Sequence, residues 1–321
     1  MSHGTLALLI HGGTDNWSPE RWKHRFDAVC ADRPVVLLPD ADLDPAEVGY
    51  AAVWKPRAGE LAAFPNLRVI FNLGAGVDAL IADASLPKVP IVRVAVDDLT
   101  KRMTEYVVLH VLAHHRGEIH LRASQREKRW EPKYQWPASA ISVGIMGLGN
   151  LGSDAAEALK ILGFKVSGWS RLAKHRPGVT GFHGKEGLEP FLKQTNILVC
   201  LLPLTSETRH ILNRNLLSML DRTSPLGAPV LINAGRGGLQ HEAEVLDCLN
   251  DGTLGAATLD VFETEPLPAD SPFWTHPKVL LTPHNAADTD PDAISKYVAA
   301  QIERYEAGHA LQNVVDLERG Y

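Results

Sequence analysis

Three short segments carry residue types that can bind an acid and move a proton: Asn233-Ala-Gly-Arg236-Gly-Gly, Asp260-Val-Phe-Glu-Thr-Glu265-Pro and Thr282-Pro-His284-Asn-Ala-Ala. Each sets a polar side chain just after an apolar run. A guanidinium such as that of Arg236 offers a planar fork of donors that can hold a carboxylate and polarise a neighbouring ketone oxygen, which an ammonium does not reproduce. An imidazole such as that of His284 can serve as a general acid near neutral pH. A carboxylate such as Glu265 beside it favours the protonated ring and fixes its orientation. Taken singly, each has an ordinary alternative: a surface arginine, a solvated turn acid, a capping or packed histidine.

The three segments gain meaning from the elements that must position them. Apolar runs at Leu6 to Ile10, Val35 to Leu38, Ala51 to Trp54, Val69 to Leu73 and Ile91 to Val94 alternate with amphipathic stretches. Such alternation predicts parallel strands joined by crossover helices, because parallel strands cannot be linked by tight turns. A helical stretch from Met103 to Arg126 follows. A second series of strands then runs through Ile141 to Met146, Lys165 to Trp169, Asn196 to Leu202, Val230 to Asn233, Ala256 to Val261 and Val279 to Thr282. Between the series, Trp130 to Pro137 reads as a connecting arm. The tail from 292 to 308 has helical periodicity and is expected to return to the first half. The expected organisation is thus a domain of residues 1–100 and 292–321 and a domain of residues 101–291, both doubly wound α/β sheets. In open parallel sheets ligands bind beyond the carboxyl ends of the strands, where all three segments fall.

The strand Ile141 to Met146 runs straight into Gly147, Gly149 and Gly152, with Asn150 and Leu151 between them, and then into a helix-compatible run. Gly147 suits the tight turn, Gly149 a close backbone approach to a pyrophosphate, and Gly152 the packing of helix on strand. The next strand leads to Ser170, where an NAD-selective site would carry an acid for the ribose hydroxyl. Arg171, Lys174, His175 and Arg176 follow instead, and Ser170 with Arg171 suits a ribose 2′-phosphate, which favours NADP.

With these motifs in view, the sequence resembles the D-isomer-specific 2-hydroxyacid dehydrogenase family, in which an Arg, a Glu and a His occupy these three segments in this order. The likeness extends to Leu73-Gly-Ala-Gly-Val-Asp78 and Met103-Thr-Glu-Tyr-Val107. Val53-Trp54, Trp169-Ser170-Arg171, Glu265-Pro-Leu-Pro268 and the closing Arg319-Gly-Tyr321 are similar to the glyoxylate/hydroxypyruvate reductase subgroup. The resemblance implies a Rossmann cofactor domain with a flavodoxin-like substrate domain, and NADPH-dependent reduction of small 2-oxo acids such as glyoxylate and hydroxypyruvate. It implies that Gly74, Ala75 and Gly76 bind the substrate carboxylate with Arg236, that Trp54 walls the pocket, and that His284, paired with Glu265, is the general acid. Leu202, Pro203 and Ala234 join the glycine loop, Ser170, Arg171, Lys174, Arg236 and His284 as expected cofactor contacts. Asp260 contacts the nicotinamide carboxamide or orders its loop. A homodimer pairing through the stretch from Met103 to Pro137 is implied as well.

Bulk properties fit this reading. At 321 residues the chain exceeds what one hydrophobic core usually supports, so two domains are expected. A formal charge of -6, with no dense basic block, disfavours nucleic acid as a partner. No apolar run approaches a membrane span, the start Met-Ser-His-Gly-Thr lacks a basic leader, and Cys30, Cys200 and Cys248 read as buried thiols, so a cytoplasmic protein is expected. His110 and His114 stand four apart, as metal ligands on a helix can, but no zinc-hydrolase carboxylate motif accompanies them, and packing is the better reading. No metal is expected. Two other functions suit the fold: a related dehydrogenase, for which the short tail and basic cofactor loop disfavour the NAD-linked phosphoglycerate type, and a non-catalytic nucleotide-sensing corepressor, which the Arg–Glu–His set disfavours.

Overall fold

The computed structural model of the chain describes residues 4–12, 15–74 and 76–320. Residues 1–3 of the start, Ala75 of the glycine loop and the closing Tyr321 lie outside the described residues. The chain divides into two compact units, one of residues 1–99 and 289–321 and one of residues 100–288.

In the first unit β1 (Thr5–Ile10), β2 (Val35–Leu37), β3 (Val48–Trp54), β4 (Val69–Asn72) and β5 (Ile91–Arg93) form a parallel sheet in the order β2-β1-β3-β4-β5. That is the flavodoxin-like order, whose switch point lies between β1 and β3. The strands are mostly apolar, with polar residues at strand ends such as Thr5, Asn72 and Arg93, because both faces of the sheet are covered. Leu6, Leu8, Tyr50 and Phe71 pack with Trp22 and Phe26 of the helix Pro19–Val29, and with Ile294, Val298 and Ile302 of the helix Pro291–Glu306. Ala7, Leu9, Val53 and Ile70 face the opposite layer, with Leu61, Phe64 and Leu80. The late helix therefore completes a core that the first strand begins. It opens on Asp290, whose side chain accepts the Asp292 amide, with Pro291 in the first turn. At its end Glu306 accepts both terminal nitrogens of the buried Arg33, each at 3.0 Å, and the Tyr50 hydroxyl at 2.9 Å.

The second unit holds β6 (Ser142–Met146), β7 (Lys165–Ser170), β8 (Thr180–His183), β9 (Ile197–Cys200), β10 (Val230–Asn233), β11 (Ala256–Leu259) and β12 (Val279–Leu281). They are parallel in the order β12-β11-β10-β9-β6-β7-β8. Counted from β6, this is the Rossmann order with one further parallel strand at the far edge, and the order reverses between β6 and β9.

Two features differ from expectation. Strand β8 was not anticipated: Thr180-Gly-Phe-His is mostly exposed at the sheet edge, where no continuous apolar run is required. The expected helix from Met103 to Arg126 is two helices, Asp97–His115 and Glu118–Arg126, parted at Gly117 with φ of 69°. A left-handed glycine ends the first helix without steric cost. Trp130 to Pro137 has no regular structure, and Trp130 is 97 % exposed. The three cysteines are buried free thiols, and burial pushes Cys200 up to about 12. Among the described residues no helix is long and apolar enough to cross a membrane.

Candidate active site

After β6 the chain turns through Gly147, at φ 105°, into the helix Asn150–Ile161. A Cβ on Gly147 would lie 2.8 Å from the Leu201 carbonyl oxygen, and one on Gly152 would collide with the Gly147 carbonyl oxygen. A Cβ on Gly149 would meet nothing within 4 Å. The turn is therefore filled behind and open in front, at the point where strand order reverses. Its shape fits a dinucleotide, whose pyrophosphate can approach the bare backbone and the helix amides. Asn150 and Leu151 open that helix, and Leu202 and Ala234 are buried just past β9 and β10. The Pro203 carbonyl accepts the Thr208 hydroxyl at 2.7 Å, which shapes the loop beside them.

At the end of β7, Ser170 is buried and donates its hydroxyl to the Leu172 carbonyl at 2.8 Å. The Lys174 ammonium reaches back to the Leu148 carbonyl at 2.8 Å, and Arg176 donates to the Ser153 hydroxyl at 3.0 Å. Burial, with Arg176 nearby, lowers the Lys174 pKa. This basic loop is thus folded over the glycine turn, and Arg171 stands exposed at its start.

His284 Nδ1 and Glu265 Oε2 are 2.6 Å apart, and the other Glu265 oxygen accepts the Phe262 amide at 3.0 Å. Burial pushes the Glu265 carboxyl up, but the hydrogen bonds from His284 and Phe262, with the positive charge of His284 and Arg236, outweigh it and hold the carboxyl below its usual range. An ionised carboxylate only accepts, so Nδ1 carries the proton of this bond and Nε2 is the nitrogen left for chemistry. Arg236, Glu265 and His284 are thereby brought together at the ends of β10, β11 and β12.

The Arg236 turn is built by two buried amides. Asn233 donates to the Arg236 carbonyl at 3.1 Å and to Gln240 Oε1 at 2.9 Å, and its own oxygen accepts the Gly235 amide at 3.1 Å. Gln240 donates to the Val261 carbonyl at 3.0 Å. The loop lies so close to the next one that a Cβ on Gly237 would collide with the Phe262 carbonyl. Sequence reasoning quoted Asn233 without a role and missed Gln240. The available signal was an amide closing the apolar run Val-Leu-Ile, since a buried amide must find partners.

Asp260, 1 % exposed, orders its neighbourhood. Its Oδ1 accepts the Thr282 hydroxyl at 2.6 Å and the amides of Asn285 and Ala286 at 3.0 and 3.1 Å, while its backbone carbonyl accepts the His284 amide at 2.8 Å. Oδ2 also receives the Ala286 amide, at 3.2 Å. Of the two roles expected for Asp260, loop ordering is the one these bonds perform. His284 itself sits at φ 53°, a left-handed conformation that costs a non-glycine residue about 1 kcal/mol or more. His110 and His114 are packing residues: both are buried, and His114 Nε2 lies 2.8 Å from the Thr258 hydroxyl of β11.

In the first unit, Trp54 ends β3 beside the switch point. Its ring lies 4.7 Å from that of Trp17, and a Cβ on Gly74 would come within 2.6 Å of its edge. Asn72, the last residue of β4, donates to the carbonyls of Gly74 and Gly76 at 2.7 and 2.9 Å.

A Rossmann-ordered sheet, an open glycine turn and a histidine–carboxylate pair beside an arginine define the class: a dinucleotide-dependent oxidoreductase. The family model for D-isomer specific 2-hydroxyacid dehydrogenase, NAD binding domain, matches residues 108–286, and the chain belongs to that family. It is 42 % identical over 286 residues to a glyoxylate/hydroxypyruvate reductase A of Escherichia fergusonii, covering 87 % of this chain and 89 % of that one. Among solved structures it is similar to an NADPH-dependent glyoxylate/hydroxypyruvate reductase from Sinorhizobium meliloti in complex with NADP and sulfate, at 42 % identity and TM-score 0.91, covering 99 % of this chain and 100 % of that one. A D-isomer specific 2-hydroxyacid dehydrogenase from Xanthobacter autotrophicus Py2, in complex with NADPH and MES, matches at 41 % identity and TM-score 0.92 over the whole of both chains.

Proposed function

We propose that this protein reduces small 2-oxo acids, glyoxylate and hydroxypyruvate, to glycolate and D-glycerate with NADPH. The observation that carries the reading is the 2.6 Å pairing of His284 with Glu265 beside Arg236, on three strand ends of a Rossmann-ordered sheet. When bound, the reduced nicotinamide supplies a hydride to the substrate's carbonyl carbon. Arg236 holds the substrate carboxylate and polarises the ketone, and His284 delivers a proton from Nε2 to the oxygen as negative charge grows there. Glu265, held ionised, keeps the ring oriented and stabilises its charged form.

Residues 101–291 serve as the NADP domain, with Gly147, Gly149, Asn150, Leu151, Gly152, Ser170, Arg171, Lys174, Leu202, Pro203, Ala234 and Asp260 about the cofactor. Residues 1–100 and 292–321 serve as the substrate domain, where Trp54 limits pocket size and the backbone of Gly74, Ala75 and Gly76 binds the carboxylate. The named activities and bound NADP of the relatives support the choice of substrate and cofactor. The protein works as a cytoplasmic homodimer paired through residues 103–137, a reading supported by the exposure of Leu109, Trp130 and Tyr134.

The test is steady-state oxidation of NADPH and NADH with glyoxylate, hydroxypyruvate, pyruvate and phenylpyruvate. Turnover with the first two and preference for NADPH are expected. No turnover with any 2-oxo acid and either cofactor would refute the proposal.

A further inference from the structure

The turn that carries His284 is anchored from outside the site, on the helix Asp97–His115. Tyr106 of that helix is buried, and its hydroxyl lies 2.7 Å from Thr282 Oγ1, which in turn lies 2.6 Å from Asp260 Oδ1. Valence fixes the direction of this chain. A carboxylate only accepts and a hydroxyl has one proton, so Thr282 donates to Asp260 and Tyr106 must donate to Thr282. The Asp260 oxygen so engaged is the one that collects the amides of Asn285 and Ala286, and the backbone carbonyl of the same residue holds the His284 amide. Three successive amides therefore depend on where Asp260 sits. The dependence matters because His284 is left-handed at φ 53°, a conformation that persists in a non-glycine residue only when its surroundings impose it. Burial raises the Tyr106 pKa, so the phenol keeps its proton and remains a donor.

We infer that Tyr106 is a positioning residue for His284, acting through Thr282 and Asp260, and is more than a space-filling aromatic of the core. The inference rests on the reading of His284 as general acid. A phenylalanine at 106 would fill the same volume, including the contact with the His110 ring at 4.2 Å, while removing the first donor of the chain.

The experiment compares the full-length wild type with Tyr106→Phe, Thr282→Val and Thr282→Ser, reading steady-state kinetics and amide hydrogen exchange. Tyr106→Phe and Thr282→Val should each lower kcat by up to about ten-fold, the order of one buried hydrogen bond, and leave KM for NADPH within about two-fold. The amides of His284, Asn285 and Ala286 should exchange about ten-fold faster in both, while those of β11 hold their protection. Thr282→Ser keeps the hydroxyl and should behave as wild type. The double variant Tyr106→Phe/Thr282→Val should be no slower than the slower single, because the chain is already cut. Wild-type kcat and wild-type protection in Tyr106→Phe would overturn the inference, as would additive losses in the double variant. A wild type without turnover whose 284–286 amides still respond would defeat the assigned activity and leave the anchoring of the turn standing.

Discussion

Ser170 closes β7 and Arg171 follows it, where an NAD-selective site would carry an acid. The Ser170 hydroxyl is donated to the Leu172 carbonyl and Lys174 reaches back to the glycine turn. An exposed guanidinium at this strand end suits a ribose 2′-phosphate, so discrimination between NADPH and NADH should involve Arg171. Arg171→Asp is expected to weaken NADPH binding by about 2 kcal/mol, some thirty-fold, with a much smaller effect on NADH. Fluorescence titration with both cofactors checks this, and equal losses would show that Arg171 does not read the phosphate. His284→Ala removes the proton donor without touching the glycine turn. Reduction should fall by at least about a thousand-fold while NADPH still binds. Loss of cofactor binding in that variant would instead mark His284 as a structural residue.

At the level of elements, the helix Asp97–His115 has a pH signature. Burial, with the neighbouring His110, pushes His114 down to about 3, so the ring is neutral where it meets Thr258. In the unfolded chain His114 titrates near the ordinary value of 6.5. The unfolded state therefore binds one more proton between the two values, and stability falls as pH drops below the upper one, by about 1.4 kcal/mol per pH unit for each such proton. His114→Gln keeps a hydrogen-bonding group and should flatten the fall in unfolding free energy between about pH 6 and pH 4 by roughly one proton's worth, measured by urea titration at each pH. An unchanged slope would place the acid sensitivity elsewhere.

The same scale shows what could be read before any fold was seen. Buried strands of parallel sheets are apolar on both faces, so β1, β3, β6, β9 and β10 announced themselves as uninterrupted runs. Strand β8 has one face open to solvent at an edge and sends no such signal. The break at Gly117 was hidden because one glycine inside a helical pattern is compatible with either continuation or termination. For the site, the residue types of Arg236, Glu265 and His284 were legible because each follows a strand. The Asn233–Gln240 clamp and the Tyr106–Thr282–Asp260 chain were not, since both join residues whose neighbourhood exists only after the sheet has formed.

For the whole molecule, the helix Pro291–Glu306 closes the core that Thr5–Ile10 opens, and Arg33, paired locally with Asp32, gains its second carboxylate, Glu306, from that helix. The first unit is thus written at both ends of the message. During synthesis its sheet must wait, with one face uncovered, until nearly the whole chain has left the ribosome, while residues 100–288 already form a continuous and complete unit. Refolding from denaturant followed by pulsed hydrogen exchange should show β6, β9 and β10 protected before β1 and β3, with a single simultaneous phase as the contrary result. The early strands are thus exposed longest, and a chaperone or an aggregate is expected to recognise the apolar stretches of the first hundred residues rather than the catalytic half.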